Sequence, residues 1–235
     1  MDGLLLVDKP VGCTSHDIVA RVRRALKIRA VGHAGTLDPF ASGLLILGIG
    51  KGTKALTALV GVDKEYTVTI ELGKRTDTFD SEGEVIETMD LSIAIPDLTT
   101  IQHALQQFTG TFPQKAPLYS AKKLHGTPLY KLARAGTATE DLRPTKEITI
   151  YSLTILSYTW PLLELQVRSS SGTYIRSLAD DIGHALGVGG YAKTLRRTKV
   201  GNYSVEQALS GDGLTTEAIQ QSLQSPTSTI ASPQQ

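Results

Sequence analysis

The stretch from residue 32 to residue 49 limits the folds open to this chain more than any other. It reads Gly-His-Ala-Gly-Thr-Leu-Asp-Pro-Phe-Ala-Ser-Gly and then Leu-Leu-Ile-Leu-Gly-Ile. The apolar run at 44–49 lies between glycines and is far shorter than the roughly 18 residues a membrane helix needs. It predicts a short buried strand. Ahead of it, Gly32, Gly35 and Gly43 frame a loop, and Pro39 pushes Asp38 out of helical geometry into an extended one. A carboxylate is thus offered from a constrained loop beside a buried strand. Taken alone, an Asp-Pro pair is ordinary turn chemistry.

The rest of the chain alternates less regularly. Residues 15–27 predict a helix, with Ile18, Val19 and Val22 on one face, arginines on the other and Ser15 as the cap. Tyr66, Val68, Ile70 and Leu72 alternate with polar neighbours, the period of a half-buried strand. A turn rich in Asp, Thr and Gly at 73–83 predicts a hairpin return at 84–87. Residues 97–108 are helical by period, with Leu98, Ile101, Leu105 and Phe108 on one face. A strand at 162–168 leads into a helix from about Tyr174, striped by Ile175, Leu178, Ala179 and Ile182. Ser204 and Gln207 have capping-box spacing. From about 220 the composition is Ser, Thr, Pro and Gln, and predicts a disordered tail. The reading is one mixed α and β domain followed by that tail.

Composition narrows the function classes. A single cysteine among 235 residues excludes a disulfide framework and any multi-cysteine zinc site. The start has no basic n-region before its apolar residues, unlike a signal peptide; a soluble cytoplasmic protein is expected. The glycine-rich 48–53 segment has a Gly after Lys51 where a phosphate loop needs Ser or Thr. No His-Glu-x-x-His pair and no Gly-x-Ser-x-Gly elbow occurs. No metal and no nucleotide cofactor is expected. Residues 1–199 carry a net charge of +4 and the last 36 carry −3. Basic residues cluster at 21–29, 115–134 and 193–199, a pattern that fits either a solvated face or a polyanion footprint.

The octapeptide Gly32-His33-Ala34-Gly35-Thr36-Leu37-Asp38-Pro39 resembles the signature loop of TruB-type tRNA pseudouridine synthases. Four further motifs agree in order and spacing. They are Asp8-Lys9-Pro10 with Ser15, and Asp63-Lys64-Glu65-Tyr66 with the Gly-Lys-Arg-Thr-Asp-Thr that follows at 73–78. Next come Pro117-Leu-Tyr-Ser-Ala-Lys-Lys with Ala133-Arg-Ala-Gly136, then Ser170-Ser-Gly-Thr-Tyr-Ile-Arg176 with Leu195-Arg-Arg197. The likeness covers roughly residues 3–209. It implies an α+β pseudouridine synthase fold, with a mixed, mainly antiparallel central sheet flanked by helices and loops. It also implies a catalytic domain over 1–210 with an RNA-gripping thumb insertion at about 112–145. Residues 211–235 are expected to be a short C-terminal extension, largely disordered from about 220, where many members carry an RNA-binding PUA domain. Thr36 and Phe40 stand where members often have other residues.

The resemblance implies roles as well. Asp38 is the nucleophile, Tyr66 stacks on the target uracil and helps remove the carbon-5 proton, and Arg176 pairs with Asp38. Tyr174 and Leu195 line the base pocket, and His33 fills the space left by the extruded base. Lys122, Lys123, Arg196 and Arg197 are expected to contact the RNA backbone. The partner is the T-arm stem-loop of tRNA, met by a monomer, and the reaction is uridine to pseudouridine at position 55. That reaction changes no oxidation state and consumes no water, so it needs no cofactor. Two other readings stay open from sequence: a non-catalytic tRNA-binding folding chaperone, and a synthase acting on another stem-loop RNA.

Overall fold

The computed structural model describes residues 1–90, 95–120, 122–124, 126–137, 139 and 142–225, with the side chains of Lys123, Leu124 and Arg134 outside that description. The first elements are β1 (Gly3–Lys9), α1 (Ser15–Leu26), β2 (Val31–Ala34), β3 (Ser42–Ile49), α2 (Leu56–Val60) and β4 (Lys64–Leu72). Then come β5 (Lys74–Thr76), β6 (Val85–Thr88), α3 (Leu98–Gln106), β7 (Gly110–Lys115), β8 (Lys123–Leu124), β9 (Thr127–Pro128) and α4 (Leu129–Arg134). The chain continues through β10 (Thr145–Thr159), β11 (Leu162–Ser169), α5 (Ile175–Ala185) and β12 (Gly190–Val200). It closes with β13 (Tyr203–Ser204), β14 (Leu209–Ser210) and α6 (Thr216–Ser222). Helices and a mixed, mainly antiparallel sheet make this an α+β fold. Among the described residues, no helix is long and apolar enough to cross a membrane.

The chain divides into two compact units, residues 1–66 with 196–235, and residues 67–195. The boundaries fall inside β4 and β12, so no Pro- or Gly-rich linker marks them. A reading for composition shifts therefore finds one domain where contacts define two.

In the first unit the strand order is β14-β1-β3-β12. β1 lies antiparallel to β3 from Gly3 opposite Ile49 to Lys9 opposite Gly43. β2 also pairs antiparallel with β3, and β12 joins β3 in parallel with Arg197 opposite Gly43. β3 is buried from Gly43 to Ile49, which is why its sequence is a continuous apolar run instead of an alternation. Leu4, Leu6, Leu44, Ile46, Leu59 and Tyr203 build the core around it. The glycines after β3 serve close backbone approach: a Cβ on Gly52 would sit 2.1 Å from the Gly3 carbonyl oxygen. The phosphate-loop look of 48–53 therefore has a packing cause.

α1 begins one residue earlier in its capping than expected. Thr14, not Ser15, is the N-cap and forms a capping box with Asp17. The end of the chain also departs from expectation. α6 runs through residue 222 with Ile219 fully buried, and Gln224 exchanges two backbone hydrogen bonds with Leu4, at 2.9 and 2.8 Å. A Cβ on Gly3 would lie 2.7 Å from Leu223 Cγ, so Leu223 packs on that strand. Two aliphatics and one strand bridge suffice to order a segment whose composition looked like tail. Residues 226–235 of the expected tail lie outside the described residues.

In the second unit the strand order is β12-β4-β11-β10-β7, with β10 antiparallel to both neighbours. α5 buries Ile175, Leu178, Ala179 and Ile182 as its stripe requires, and α3 packs against it through a face that includes buried Ile101 and Leu105. Leu98, expected on the buried face of α3, is 47% exposed. β5 and β6 form the expected hairpin.

Candidate active site

In the first unit, the loop between β2 and β3 carries Asp38, half-buried. Its neighbours are fixed on both sides. Buried Ser15 receives the Leu37 amide at 2.9 Å and donates to the Leu37 carbonyl at 3.1 Å. That is the work of the serine freed from capping α1. Beyond the aspartate, the Pro39 carbonyl accepts from the Gly12 amide at 2.9 Å and from Lys9 Nζ at 3.5 Å. Lys9 is fully buried and also donates to the Pro10 and Cys13 carbonyls, at 2.9 and 2.7 Å. Phe40, at 9% exposure, is a core residue. The amide of Ala41 closes a turn on the Asp38 carbonyl at 3.1 Å.

Tyr66 and Arg197 complete this cluster. Tyr66 is 8% exposed on the face of β4 shared with Val68 and Ile70. Arg197 is 2% exposed, which removes it from the residues able to meet an RNA backbone. Its position on β12 is in phase with buried Leu195, so the side chain enters the core. There Nε donates to the Leu44 carbonyl at 2.7 Å and Nη2 to the Gly35 carbonyl at 2.9 Å. Burial pulls its guanidinium below the ordinary arginine value, while the nearby Tyr66 hydroxyl and Asp38 carboxylate oppose that pull. Arg196 points the other way and forms a bidentate pair with Asp8, at 3.0 and 2.7 Å. Its charge is already met on the protein.

His33, on β2, is half-buried, and its ring meets His16 edge-on with centroids 5.6 Å apart. Burial, then the neighbouring His16 and Arg197 charges, depress its pKa and keep it neutral near pH 7. A neutral flat ring is the form suited to stacking among bases.

The second unit holds Arg176, Tyr174 and Leu195. Arg176, 3% exposed on the first turn of α5, forms an ion pair with Asp80 at 3.1 Å. It also donates to the Thr78 and Tyr119 carbonyls, each at 2.9 Å. Asp180, four residues on, pairs instead with Arg75 at 2.7 and 3.2 Å. Phe79 stands in the chain between Thr78 and Asp80, both partners of Arg176, with φ +63, a left-handed backbone rare for a bulky residue. The Arg143 guanidinium covers its ring at 5.1 Å. Tyr174 is half-buried, and the amide of buried Gln114 brackets its backbone at 2.8 and 3.0 Å. Leu195 is 7% exposed. In the insertion Lys122 is exposed, whereas the Lys123 side chain lies outside the described residues.

Sequence reasoning missed Asp80, Ser15's clamp and Arg197's burial. The signal for Arg197 was its two-residue spacing from Leu195 on one strand. Asp80 gave only a polar turn and no spacing that names its partner.

This order of loop, tyrosine strand and arginine helix is matched by a family model for TruB family pseudouridylate synthases (N-terminal domain) over residues 23–175. A second model, the tRNA pseudouridylate synthase B C-terminal domain, matches residues 176–227. The chain belongs to the TruB family. The tRNA pseudouridine synthase B of Pasteurella multocida is 44% identical over 223 residues, covering 95% of this TruB-family chain and 71% of that protein. Its counterpart in Opitutus terrae is 44% identical over 216 residues, covering 91% and 87%. A chain of a solved Cbf5-Nop10-Gar1 complex is 28% identical with a TM-score of 0.73, over 95% of this chain and 60% of that one. A chain of an H/ACA RNP bound to a substrate RNA containing 2'-deoxyuridine is 27% identical with a TM-score of 0.66, over 88% and 50%. This chain thus spans half to three-fifths of the length of those two solved chains. The TruB-family C-terminal match reaches past α6, in keeping with the ordered segment found there.

Proposed function

We propose that this chain is a tRNA pseudouridine synthase, isomerising the uridine at position 55 of the T-loop with Asp38 as nucleophile. The observation that carries the reading is the clamping of the Asp38 loop from both sides by Ser15, Gly12 and Lys9. A turn aspartate needs no such framework; a nucleophile held ready for one geometry does. The names of the relatives support tRNA as the substrate.

The reaction breaks the bond between ribose and nitrogen 1, turns the base, and joins carbon 5 to the ribose. Carbon 5 loses a proton and nitrogen 1 gains one, so product and substrate are isomers. A covalent bond to Asp38 divides this exchange into two easier steps. Arg176 is the cation that serves the nucleophile, itself oriented by Asp80. Tyr66 is the aromatic face for the flipped base and the carrier of the carbon-5 proton. Tyr174 and Leu195 line the pocket, and neutral His33 takes the vacated place in the RNA loop. Lys122 and Lys123 contact phosphates, which position the RNA without reading its sequence.

The test is incubation of the purified chain with an isolated T-arm hairpin, followed by mapping of pseudouridine. Modification of the single uridine equivalent to position 55 is expected. A hairpin bound but never modified would favour the folding chaperone, and modification confined to other stem-loop RNAs would refute the target.

A further inference from the structure

The insertion leaves the sheet at Lys115 and returns at Thr145, residues that face each other across β7 and β10. Its two ends are joined again just beyond, by the Ala116 amide on the Pro144 carbonyl at 3.0 Å. Half-buried Arg143 brings in a third segment. Its guanidinium donates to the Ala116 and Lys115 carbonyls, at 2.8 and 3.4 Å, and lies over the Phe79 ring, 5.1 Å from the centroid. Phe79 is 5% exposed, and a bulky side chain keeps a φ of +63 only where its surroundings enforce it. A bridge to β12 does part of this, since the Phe79 carbonyl accepts from the Ala192 amide at 3.0 Å. What the turned backbone achieves is convergence. The Thr78 carbonyl and the Asp80 carboxylate, on either side of Phe79, meet the same nitrogen of Arg176, Nη1, at 2.9 and 3.1 Å. Its other terminal nitrogen, Nη2, donates at 2.9 Å to the carbonyl of Tyr119, a residue of the insertion. Next to Arg176 on α5, the Ser177 hydroxyl donates to the Lys115 carbonyl at 3.0 Å. These partners of Arg176 come from two segments, the Phe79 turn and the insertion, and Arg143 fastens one to the other.

We propose that Arg143 is a positioning residue for the isomerisation: by seating the root of the insertion on Phe79, it fixes the two segments that aim Arg176. The inference rests on the role proposed for Arg176 as the cation serving Asp38. A guanidinium presents its donors in one plane, so acceptors drawn from separate segments orient it only while those segments keep their spacing. Arg143 suits the joint because a planar cation can stack on an aromatic face and still donate from its edge. An aliphatic residue there would cover Phe79 but offer nothing to the Ala116 carbonyl. Displacement of the insertion's root is passed to Arg176 through Tyr119, so a seated insertion and an aimed cation become one event. In this role Arg143 exchanges no proton and makes no bond to the substrate.

Single-turnover rates on a saturating T-arm hairpin, with hairpin affinity measured in parallel, test this. Arg143→Met should slow the reaction by about 10–100-fold, the scale of misplacing a reacting group by about 1 Å, while affinity stays within about three-fold. Phe79→Leu should do nearly the same, and the double variant should be no slower than the worse single one, because the two act through one contact. A loss confined to affinity would make Arg143 a phosphate contact, and losses that multiply would make the two residues independent; either result overturns the inference. The pH–rate profile separates positioning from general loosening of the fold. A cation drawn away from Asp38 lets that carboxylate protonate at higher pH, so the acid limb of the profile should move up in Arg143→Met. An equal loss at every pH would mean a merely structural role and refute the proposal. If Arg143→Met does not fold, Phe79→Leu decides alone: a slowed reaction with a raised acid limb supports the inference, and a wild-type rate refutes it. Wild-type protein that makes no pseudouridine, or Arg176→Met at full rate, would instead sink the reading of Arg176, and this inference with it.

Discussion

Around Asp38 the chain is held at Gly35 by Arg197, at Leu37 by Ser15, and at Pro39 by Gly12 and Lys9. Across the insertion at 112–145 the elements β8, β9 and α4 are only two to six residues long, and Lys115, Lys122 and Lys131 stand in solvent. The insertion is tied firmly at its root, where Arg143 donates to the Ala116 carbonyl at 2.8 Å and covers Phe79. The difference is the one expected if the proposed function holds. Covalent chemistry needs atoms held to within fractions of an ångström, whereas phosphate contacts act through charge and tolerate mobile side chains. Backbone groups clamped by buried side chains suit the first task, and exposed lysines the second.

The contrast is sharpest between two buried serines. Ser15 clamps Leu37, while Ser120 in the insertion has a buried hydroxyl with no hydrogen-bond partner among the described residues. Ser15→Ala should reduce turnover by about 10–100-fold, because a loosened nucleophile loses alignment. Ser120→Ala should change turnover less than about two-fold, and single-turnover rates on one hairpin compare them directly. Equal losses would break the contrast.

A second consequence concerns pH. Burial, with Asp180 beside it, pushes the Asp181 carboxyl up to about 6, against the opposing charges of Arg143, His184 and Arg75. A carboxyl raised on folding contributes stability that is full below its unfolded value near 4 and is lost as pH rises through about 6. Asp181→Asn should therefore remove that slope and stabilise the protein above pH 6, by at most about 3 kcal/mol and less where solvent screens the group. Denaturant midpoints between pH 4 and 8 measure it. An unchanged slope in the variant would contradict the assignment.

The smallest effect is expected in the insertion. Lys115→Gln with Lys122→Gln should flatten the log-log salt dependence of RNA affinity by about 0.7–0.9 for each charge that meets a phosphate. Maximal turnover should stay the same. An unchanged slope would place the RNA elsewhere on the surface.

Much of this was legible because it was local. The apolar run of β3, the alternation of β4, the stripe of α5 and the Ser204 capping box each declare themselves within a few residues. What could not be read depends on partners far away in sequence. Thr14 and Ser15 are equally good caps by type, and only the Leu37 backbone, 22 residues on, decides that Ser15 is used elsewhere. Arg176 has an acid one turn ahead, yet Arg75, 105 residues away from Asp180, occupies that acid. Arg197 looked like half of a basic surface pair until the strand phase placed it inward. The order in 220–225 depends on Leu4 offering a strand edge.

The central claim is that the clamped carboxylate performs the isomerisation, and Asp38→Asn tests it with almost no change in volume. Wild-type and variant protein would be given a T-arm hairpin tritiated at carbon 5 of the target uridine, with binding followed in parallel. The account predicts that tritium release falls by at least about 1,000-fold, as for a lost covalent nucleophile, while hairpin affinity stays within a few-fold. Release by Asp38→Asn at a rate near that of wild type would contradict it.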